Sequence, residues 1–288
     1  MATVLITGAG KGIGLSTALT LARAGHTVYA TMRNPAGNTE LKDLTGREAL
    51  PIAISTMDVD SDDSVAAAIG AIFASGVEID VLVNNAGIER SGAIEELSMA
   101  DFREAMETNY FGALRCIKAV LPQMRRRRDG CIVNVTSVAG RVATSPLGPY
   151  AASKFALEAL SEALAQEMKA FNVRVVIVEP GIIDTPMAHR IELPMPDSIY
   201  PHRRRMGNYF TASLRNPTPP VMVAEKIRDI VESGTWQFRH TVGPNAALTI
   251  DKRKATSDED YITLHSSDDD AWYTAMEKTF GMPIRPKV

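Results

Sequence analysis

Tyr150 and Lys154 stand four residues apart in "GPYAASKF", where a long stretch with apolar residues at helical spacing begins. Side chains four positions apart share one helix face. A phenol and an ammonium so placed could handle a proton together. They could equally be a half-exposed Tyr beside a solvated Lys, and the pair alone does not decide. A second pattern lies near the N-terminus. "TGAGKGIG" (Thr7–Gly14) joins a short β-rich run to a helix-like stretch. Glycines such as Gly8, Gly12 and Gly14 let a backbone turn sharply and approach a pyrophosphate, which a helix N-terminus favours electrostatically. The pattern is T-G-x-x-x-G-x-G, with Ile13 at the last glycine position of the G-x-G-x-x-G fingerprint. Set between an N-terminal strand and a helix, it points to a bound dinucleotide.

The end of the second strand bears on which nicotinamide. An NAD site usually places Asp or Glu there for the ribose 2′-OH. Here the stretch is "ATMRN", with no acid before Arg33. Arg33 can meet a 2′-phosphate bidentately, and Lys11 in the glycine turn adds a second cation. Either alone would pass as a solvated loop residue. Together, with the acid missing, they favour NADP(H) over NAD(H). Asp58, followed by Val59 after the third strand, is placed either to accept from an adenine amino group or only to cap the next helix.

These residues need a frame, and the chain alternates strand-like and helix-like stretches. Strands are expected at Thr3–Thr7, Thr27–Met32, Pro51–Met57, Ile79–Asn85, Cys131–Ser137 and Val173–Pro180, with a last short one near Arg239–Val242. Helices are expected at Gly14–Ala24, at Ser61–Ala74 with Ser61 as N-cap, from Ser98 to Arg128 with a bend near Asn109, at Tyr150–Phe171 and at Val221–Glu232. The strands are almost continuously hydrophobic, as when helices cover both sheet faces. This predicts an α/β fold, a doubly wound parallel sheet, in a single domain over 1–288. Ligands bind outside the carboxyl ends of such strands. The weakly periodic Gly181–Pro220, rich in Pro, Met and Arg, reads as an irregular substrate lid over about 183–218.

Composition excludes several classes. The 288 residues are 45% hydrophobic and 23% charged, with a net charge of −3, which argues against nucleic acid as a partner. No apolar run approaches the roughly 20 residues of an integral membrane segment, and no signal peptide is visible. Cys116 and Cys131 sit in apolar contexts and read as buried free thiols of a cytoplasmic protein. No metal-ligand pattern stands out.

Four further patterns fall into line: "NNAG" (Asn84–Gly87), Asn109 in "NYFG", Ser137 ending the fifth strand, and "PGIIDT" (Pro180–Thr185). With the glycine turn and Tyr150-x-x-x-Lys154, the chain resembles the short-chain dehydrogenase/reductase family from about Thr3 to Val242. The resemblance implies a seven-stranded Rossmann-type fold assembled as a homodimer or homotetramer. It implies a catalytic set of Asn109, Ser137, Tyr150 and Lys154. Tyr150 would be general acid for carbonyl reduction and base for alcohol oxidation. Lys154 would favour the phenolate and hold the nicotinamide ribose, Ser137 would bind the substrate oxygen, and Asn109 would hold a water linking Lys154 to solvent. Asn85, Ala86 and Gly87 would flank the adenosine ribose. Pro180 and Gly181 would lead into Ile183 and Thr185, which would hold the carboxamide.

"YATMRNP", "LPQMRRRRDG" and "YAASKFALEALSEAL" look closest to the branch of 17β-hydroxysteroid and retinol dehydrogenases and related carbonyl reductases. That branch implies a bulky, apolar small-molecule substrate. Ala143, Leu147, Ile183, Met187, Ile191, Met195, Tyr209 and Phe210 are the candidate lining. "HRRR" (His202–Arg205) reads as a solvated loop rather than an anion or membrane site. An acidic extension runs over about 244–288, and within it "SSDDDAW" (Ser266–Trp272) and Gly281–Val288 read as segments that pack on a neighbouring subunit or fray. An NAD-dependent alcohol dehydrogenase of the same family is one alternative. A cofactor-bound sensor or scaffold that lost the chemistry is another, disfavoured because Ser137, Tyr150 and Lys154 are all present.

Overall fold

The computed structural model describes residues 1–192 and 198–286, so Met195 lies outside the described residues. Among them seven strands occur: β1 (Thr3–Thr7), β2 (Thr27–Met32), β3 (Ile52–Thr56), β4 (Val81–Asn84), β5 (Gly130–Val135), β6 (Val173–Pro180) and β7 (Arg239–Val242). All pair in parallel, in the order β3-β2-β1-β4-β5-β6-β7. The helices are α1 (Gly12–Arg23), α2 (Thr39–Glu48), α3 (Asp62–Ala74), α4 (Met99–Met106), α5 (Gly112–Arg127), α6 (Gly148–Lys169), α7 (Pro186–Glu192), α8 (His202–Leu214), α9 (Pro220–Ser233), α10 (Ala246–Lys254), α11 (Asp258–Ser266) and α12 (Asp269–Phe280).

Alternation within the strands splits their apolar residues between two cores. Val4, Ile6, Val81 and Val83 pack with α1 and α9 on one face. Leu5, Leu82 and Ile132 pack with α3, α5 and α6 on the other. Each such side chain, fully buried, contributes about 1.5–3 kcal/mol. Burial on both faces explains the continuous hydrophobicity of the strands, and every residue of β5 is buried. Strand order reverses between β1 and β4, which opens a crevice at their carboxyl ends.

Helix ends follow their capping chemistry. The Ser61 hydroxyl accepts from the Ser64 N–H at 3.2 Å and starts α3. Ser98 and Asp101 form a reciprocal capping box at α4. The bend expected near Asn109 is a π-turn over Glu107–Phe111, between α4 and α5. Cys116 and Cys131 are buried free thiols.

Two expectations need correction, and one helix has no counterpart among them. α2 went unread because Leu41 is its one buried residue, so no apolar stripe marks it. The lid is not an irregular loop over its described part, since α7 and α8 occupy much of it. The acidic extension does not fray over its described part. It forms α10, α11 and α12, and Trp272, Tyr273 and Ile284 bury themselves against Ala212 of α8 in the same chain.

Candidate active site

Every strand-end motif except Gly14 borders one cavity of about 1060 Å³ at the carboxyl edge of the sheet. The glycine turn leaves β1, Arg33 follows β2, Asp58 and Val59 follow β3, and Asn85, Ala86 and Gly87 follow β4. Ser137 follows β5, and Pro180, Gly181, Ile183 and Thr185 come off β6. Tyr150 and Lys154 enter from the first two turns of α6. The strand ends are tied together. The Thr7 hydroxyl accepts from the Asn85 N–H at 3.0 Å and the Ala86 N–H at 2.9 Å.

The glycine turn fits a pyrophosphate. Gly8 has φ +66°, and a Cβ there would sit 2.8 Å from Ala86 Cα. Gly12 has φ +56°, and a Cβ there would press on Thr185. Both leave the backbone bare toward the cavity. At Lys11, the N-cap of α1, no side chain caps the helix, and its first turn carries no acid. Its free N–H groups therefore form an anion cradle. Gly14 plays a different part from the one expected. It does not line the cavity; a Cβ on it would lie 2.3 Å from the Gly8 carbonyl oxygen and 2.5 Å from Asn85 Nδ2. Its bareness lets α1 pack under the turn. Asn85 donates from its side chain to the Thr7 and Gly8 carbonyls at 2.9 and 3.1 Å, so it holds the turn.

Lys11 and Arg33 both border the cavity at the β2 end, joined by Asn34 and Asn38, which the sequence reading overlooked. Asn38 donates to the Gly10 carbonyl and ties this loop to the glycine turn. Asp58 does not cap α3, since Ser61 does. Instead its carboxylate accepts from the Asp60 N–H at 3.2 Å.

At the β5 side the catalytic candidates converge. The Ser137 hydroxyl accepts from the Ala139 N–H at 3.1 Å and lies close enough to the Tyr150 phenol to favour its ionised form. Lys154, 4% exposed, donates from Nζ to the Val135 carbonyl at 3.0 Å. Its Nζ is 5.7 Å from the Tyr150 ring centre. Burial pushes the Tyr150 phenol up to about 12, against the lowering pull of the neighbouring Ser137 hydroxyl. A depressed phenol was expected instead. Desolvation wins because the ammonium is turned to Val135 and is itself pushed down to about 8 by burial. Asn109 lies behind this group rather than on the cavity wall. Its Oδ1 accepts from the Ile88 N–H at 2.8 Å, while its Nδ2 donates to the Ile88 carbonyl at 2.9 Å and to Ser153 Oγ at 2.8 Å. Ser153 in turn donates to the Tyr150 carbonyl at 2.7 Å. The π-turn thus aims one buried amide at both the β4 loop and α6, a use typical of such turns at functional sites.

Behind Lys154 lies a polar cluster that the sequence reading missed. Glu158, one turn further along α6, accepts from Thr136 at 2.7 Å and from Arg239 at 3.0 Å. Glu179, beside Pro180, pairs with Arg141 at 3.0 Å and lies 3.6 Å from Arg239. The Tyr150, Lys154, Glu158 spacing of four was its only signal in the sequence.

Leu147, Met187, Ile191, Tyr209 and Phe210 line the rest of the cavity, as expected, and Met206 joins them. Ala143 does not. It is exposed on a separate cavity, and its carbonyl accepts from the Tyr261 hydroxyl of α11 at 3.1 Å. The solvated-loop reading of His202–Arg205 also fails, because Arg203 and Arg205 are buried in α8. Arg203 donates to the carbonyls of Ile191 and Arg190 at 2.8 and 3.0 Å, satisfying the end of α7. Arg205 pairs with Asp269 of α12 at 2.7 Å. The packing of α12 and the following segment on α8, with Arg215 donating to the Pro283 carbonyl at 3.2 Å, brings Met282 and Pro283 to the cavity wall, a placement with no local sequence signal.

Comparison with known proteins agrees with this geometry. The family model "short chain dehydrogenase" matches residues 2–195. The chain is 46% identical over 188 residues to retinol dehydrogenase 8 of Bos taurus, covering 64% of this chain and 59% of that protein. It is 34% identical over 259 residues to 3-ketodihydrosphingosine reductase of Bacteroides thetaiotaomicron, covering 88% and 91%. Among solved structures, a short-chain dehydrogenase from Streptomyces avermitilis superposes with a TM-score of 0.77 at 29% identity, covering 96% of this chain and 98% of that one. A single-site variant of the actinorhodin polyketide ketoreductase, with NADPH, superposes with a TM-score of 0.76 at 27% identity, covering 85% and 97%.

Proposed function

Because the chain belongs to the short-chain dehydrogenase family of alcohol/ketone oxidoreductases, we propose that it interconverts a bulky, apolar ketone or aldehyde with its alcohol, using NADP(H). The observation that carries this reading is the convergence of Ser137, Tyr150 and the buried Lys154 on the same cavity as the glycine turn. When bound, the nicotinamide supplies or takes up the hydride. The rest is done by side chains of this protein. Ser137 donates to the substrate oxygen and stabilises charge growing on it. Tyr150 hands that oxygen its hydroxyl proton in reduction and takes it back in oxidation. A phenol that burial keeps protonated is suited to the acid role. Lys154 supports the charged phenol electrostatically and holds ribose hydroxyls; Asn109 fixes the β4 loop and α6 relative to each other. Tyr150 and Lys154 therefore serve both chemistry and cofactor binding.

The α1 N-terminus, with Gly8, Lys11, Gly12 and Ile13, would receive the pyrophosphate, and Arg33 with Lys11 the 2′-phosphate. Asp58 and Val59 would meet the adenine, and Ile183 and Thr185 the carboxamide. NADPH in the ketoreductase neighbour supports this choice, as does an NADPH-dependent pterin aldehyde reductase of Arabidopsis thaliana among the relatives. The apolar lid wall supports a bulky substrate. We take the molecule to be a homo-oligomer, as its family resemblance implies.

The test follows reduced-nicotinamide absorbance with NADPH and a panel of steroid, retinoid, aromatic and aliphatic carbonyls. Turnover of a bulky carbonyl is expected, with Tyr150→Phe losing about a hundredfold or more in kcat while still binding NADPH. Near wild-type turnover by Tyr150→Phe defeats the proton-transfer role. No turnover across the whole panel defeats the enzymatic reading.

A further inference from the structure

The mechanism leaves one buried ionisable group on the cavity wall unused. Glu89 is 8% exposed and lines the cavity. Its Oε1 has no hydrogen-bond partner among the described residues. A buried carboxylate oxygen without a donor is costly, and an ionised carboxylate can only accept. Flexibility does not explain it. Asn109 grips the preceding residue, Ile88, through both its N–H and its carbonyl. The same Asn109 reaches α6 through Ser153 and so fixes Glu89 relative to Tyr150. The charge of Glu89 is felt at Tyr150, whose phenol it helps to raise.

The local charge balance narrows what Glu89 can receive. Arg203, also 8% exposed, is electrostatically coupled to Glu89. Its two terminal nitrogens are spent on Ile191 and Arg190, and its Nε is buried without a partner among the described residues. Glu89 thus already has a cation in its field, but no donor on Oε1. A further cation would add to the positive charge of Arg203 and Lys154 in a buried place. A neutral donor adds none.

We propose that Glu89 is a substrate anchor that accepts a hydrogen bond from a hydroxyl close to the reacting carbonyl, so that the substrate is an apolar hydroxyketone or, in the reverse direction, the matching diol. This rests on the proposed carbonyl/alcohol reaction at Tyr150. The apolar body lies against Met187, Ile191, Met206 and Phe210, and Glu89 sets which end of the molecule meets Tyr150.

The test uses three ketones on one apolar skeleton, bearing a hydroxyl, an ammonium or a methyl group beside the carbonyl, with NADPH. In the wild type, kcat/KM for the hydroxyketone exceeds that for the methyl ketone by about tenfold or more, the lower end for a hydrogen bond to a charged group. Glu89→Leu brings that ratio close to unity. Glu89→Gln, which keeps an acceptor but loses the charge, lowers it by about threefold or more and stands in if the leucine variant misfolds. Equal wild-type rates overturn the proposal, because solvent alone then satisfies Glu89. A ratio unchanged in the variants overturns it too, as does preference for the ammonium compound. A second readout is calorimetric binding of the matching diol and its methyl counterpart to the NADP-loaded protein. Tighter diol binding with no turnover of any ketone upholds the anchor and defeats the reaction. Turnover without any hydroxyl preference defeats the anchor and upholds the reaction. Neither binding nor turnover defeats both.

Discussion

Arg239 on β7 reaches Glu158 on α6 at 3.0 Å, one helical turn beyond Lys154. The contact links the seventh strand to the helix that carries Tyr150. Glu158 also bonds Thr136, the residue before Ser137. One arginine therefore braces both sides of the candidate catalytic group.

Removing that arginine strands the Glu158 carboxylate, whose side chain is only 6% exposed, while Glu179 keeps its pair with Arg141. Arg239→Met is expected to lose about 3 kcal/mol of stability, measured by urea denaturation. Adding Glu158→Gln to that variant recovers part of the loss, because it removes one stranded charge. Simple additivity of the two changes would show that the residues do not act together.

The cofactor preference is expected to turn on Arg33. Arg33→Asp removes a cation and adds the acid of an NAD-type site. It is expected to weaken NADPH binding by about tenfold or more and to shift the kcat/KM ratio toward NADH. Titration of both reduced cofactors, followed by fluorescence, measures this. An unchanged ratio rules Arg33 out as the phosphate contact.

Burial holds Lys154 down to about 8, below its ordinary value of 10.5. Between those values the unfolded chain keeps the proton and the folded chain releases it. This residue's contribution therefore rises with pH across that window and is lost as pH falls through about 8. Wild type minus Lys154→Met stability is expected to grow by about 2 kcal/mol from pH 8 to pH 10. Paired urea titrations at the two pH values provide the measurement. A flat difference would mean that the ammonium is well solvated.

Asp269 should govern the lid without touching the cofactor. It pairs with Arg205, whose side chain is 4% exposed. Asp269→Asn leaves that guanidinium buried and poorly compensated. Substrate KM is expected to rise by about threefold or more while NADPH affinity holds, with about 2–3 kcal/mol of stability lost. Equal weakening of substrate and NADPH would show that α12 supports the whole sheet rather than the lid.

The sheet was legible because its strands are buried on both faces and carry the signal in every residue, as in β5. Ser61 and Ser98 were legible because a cap acts within three residues of itself. Residue type and spacing likewise brought Tyr150, Lys154, Ser137 and Arg33 to the cavity. α2 was missed because one Leu carries its packing. α8 was missed because Arg203 and Arg205 are buried by distant partners, Ile191 and Asp269, and a buried arginine looks like a solvated one in a sequence. α11 had a local sign that went unused: Ser257 caps it by accepting from the Asp260 N–H at 3.1 Å, an S-x-x-D pattern. Met282 and Glu89 illustrate the two remaining limits. Met282 arrives by tertiary packing alone, while Glu89 follows a recognised motif but reveals its bare carboxylate only in three dimensions.

The placement of Met282 and Pro283 on the cavity wall also sets an order of events during synthesis. The glycine turn, Arg33, Ser137 and Tyr150 emerge from the ribosome well before α12 does. A nascent chain could therefore close its sheet and capture a dinucleotide while the substrate chamber still lacks a wall. Selectivity toward the carbonyl compound would be acquired last, when α12 docks on α8.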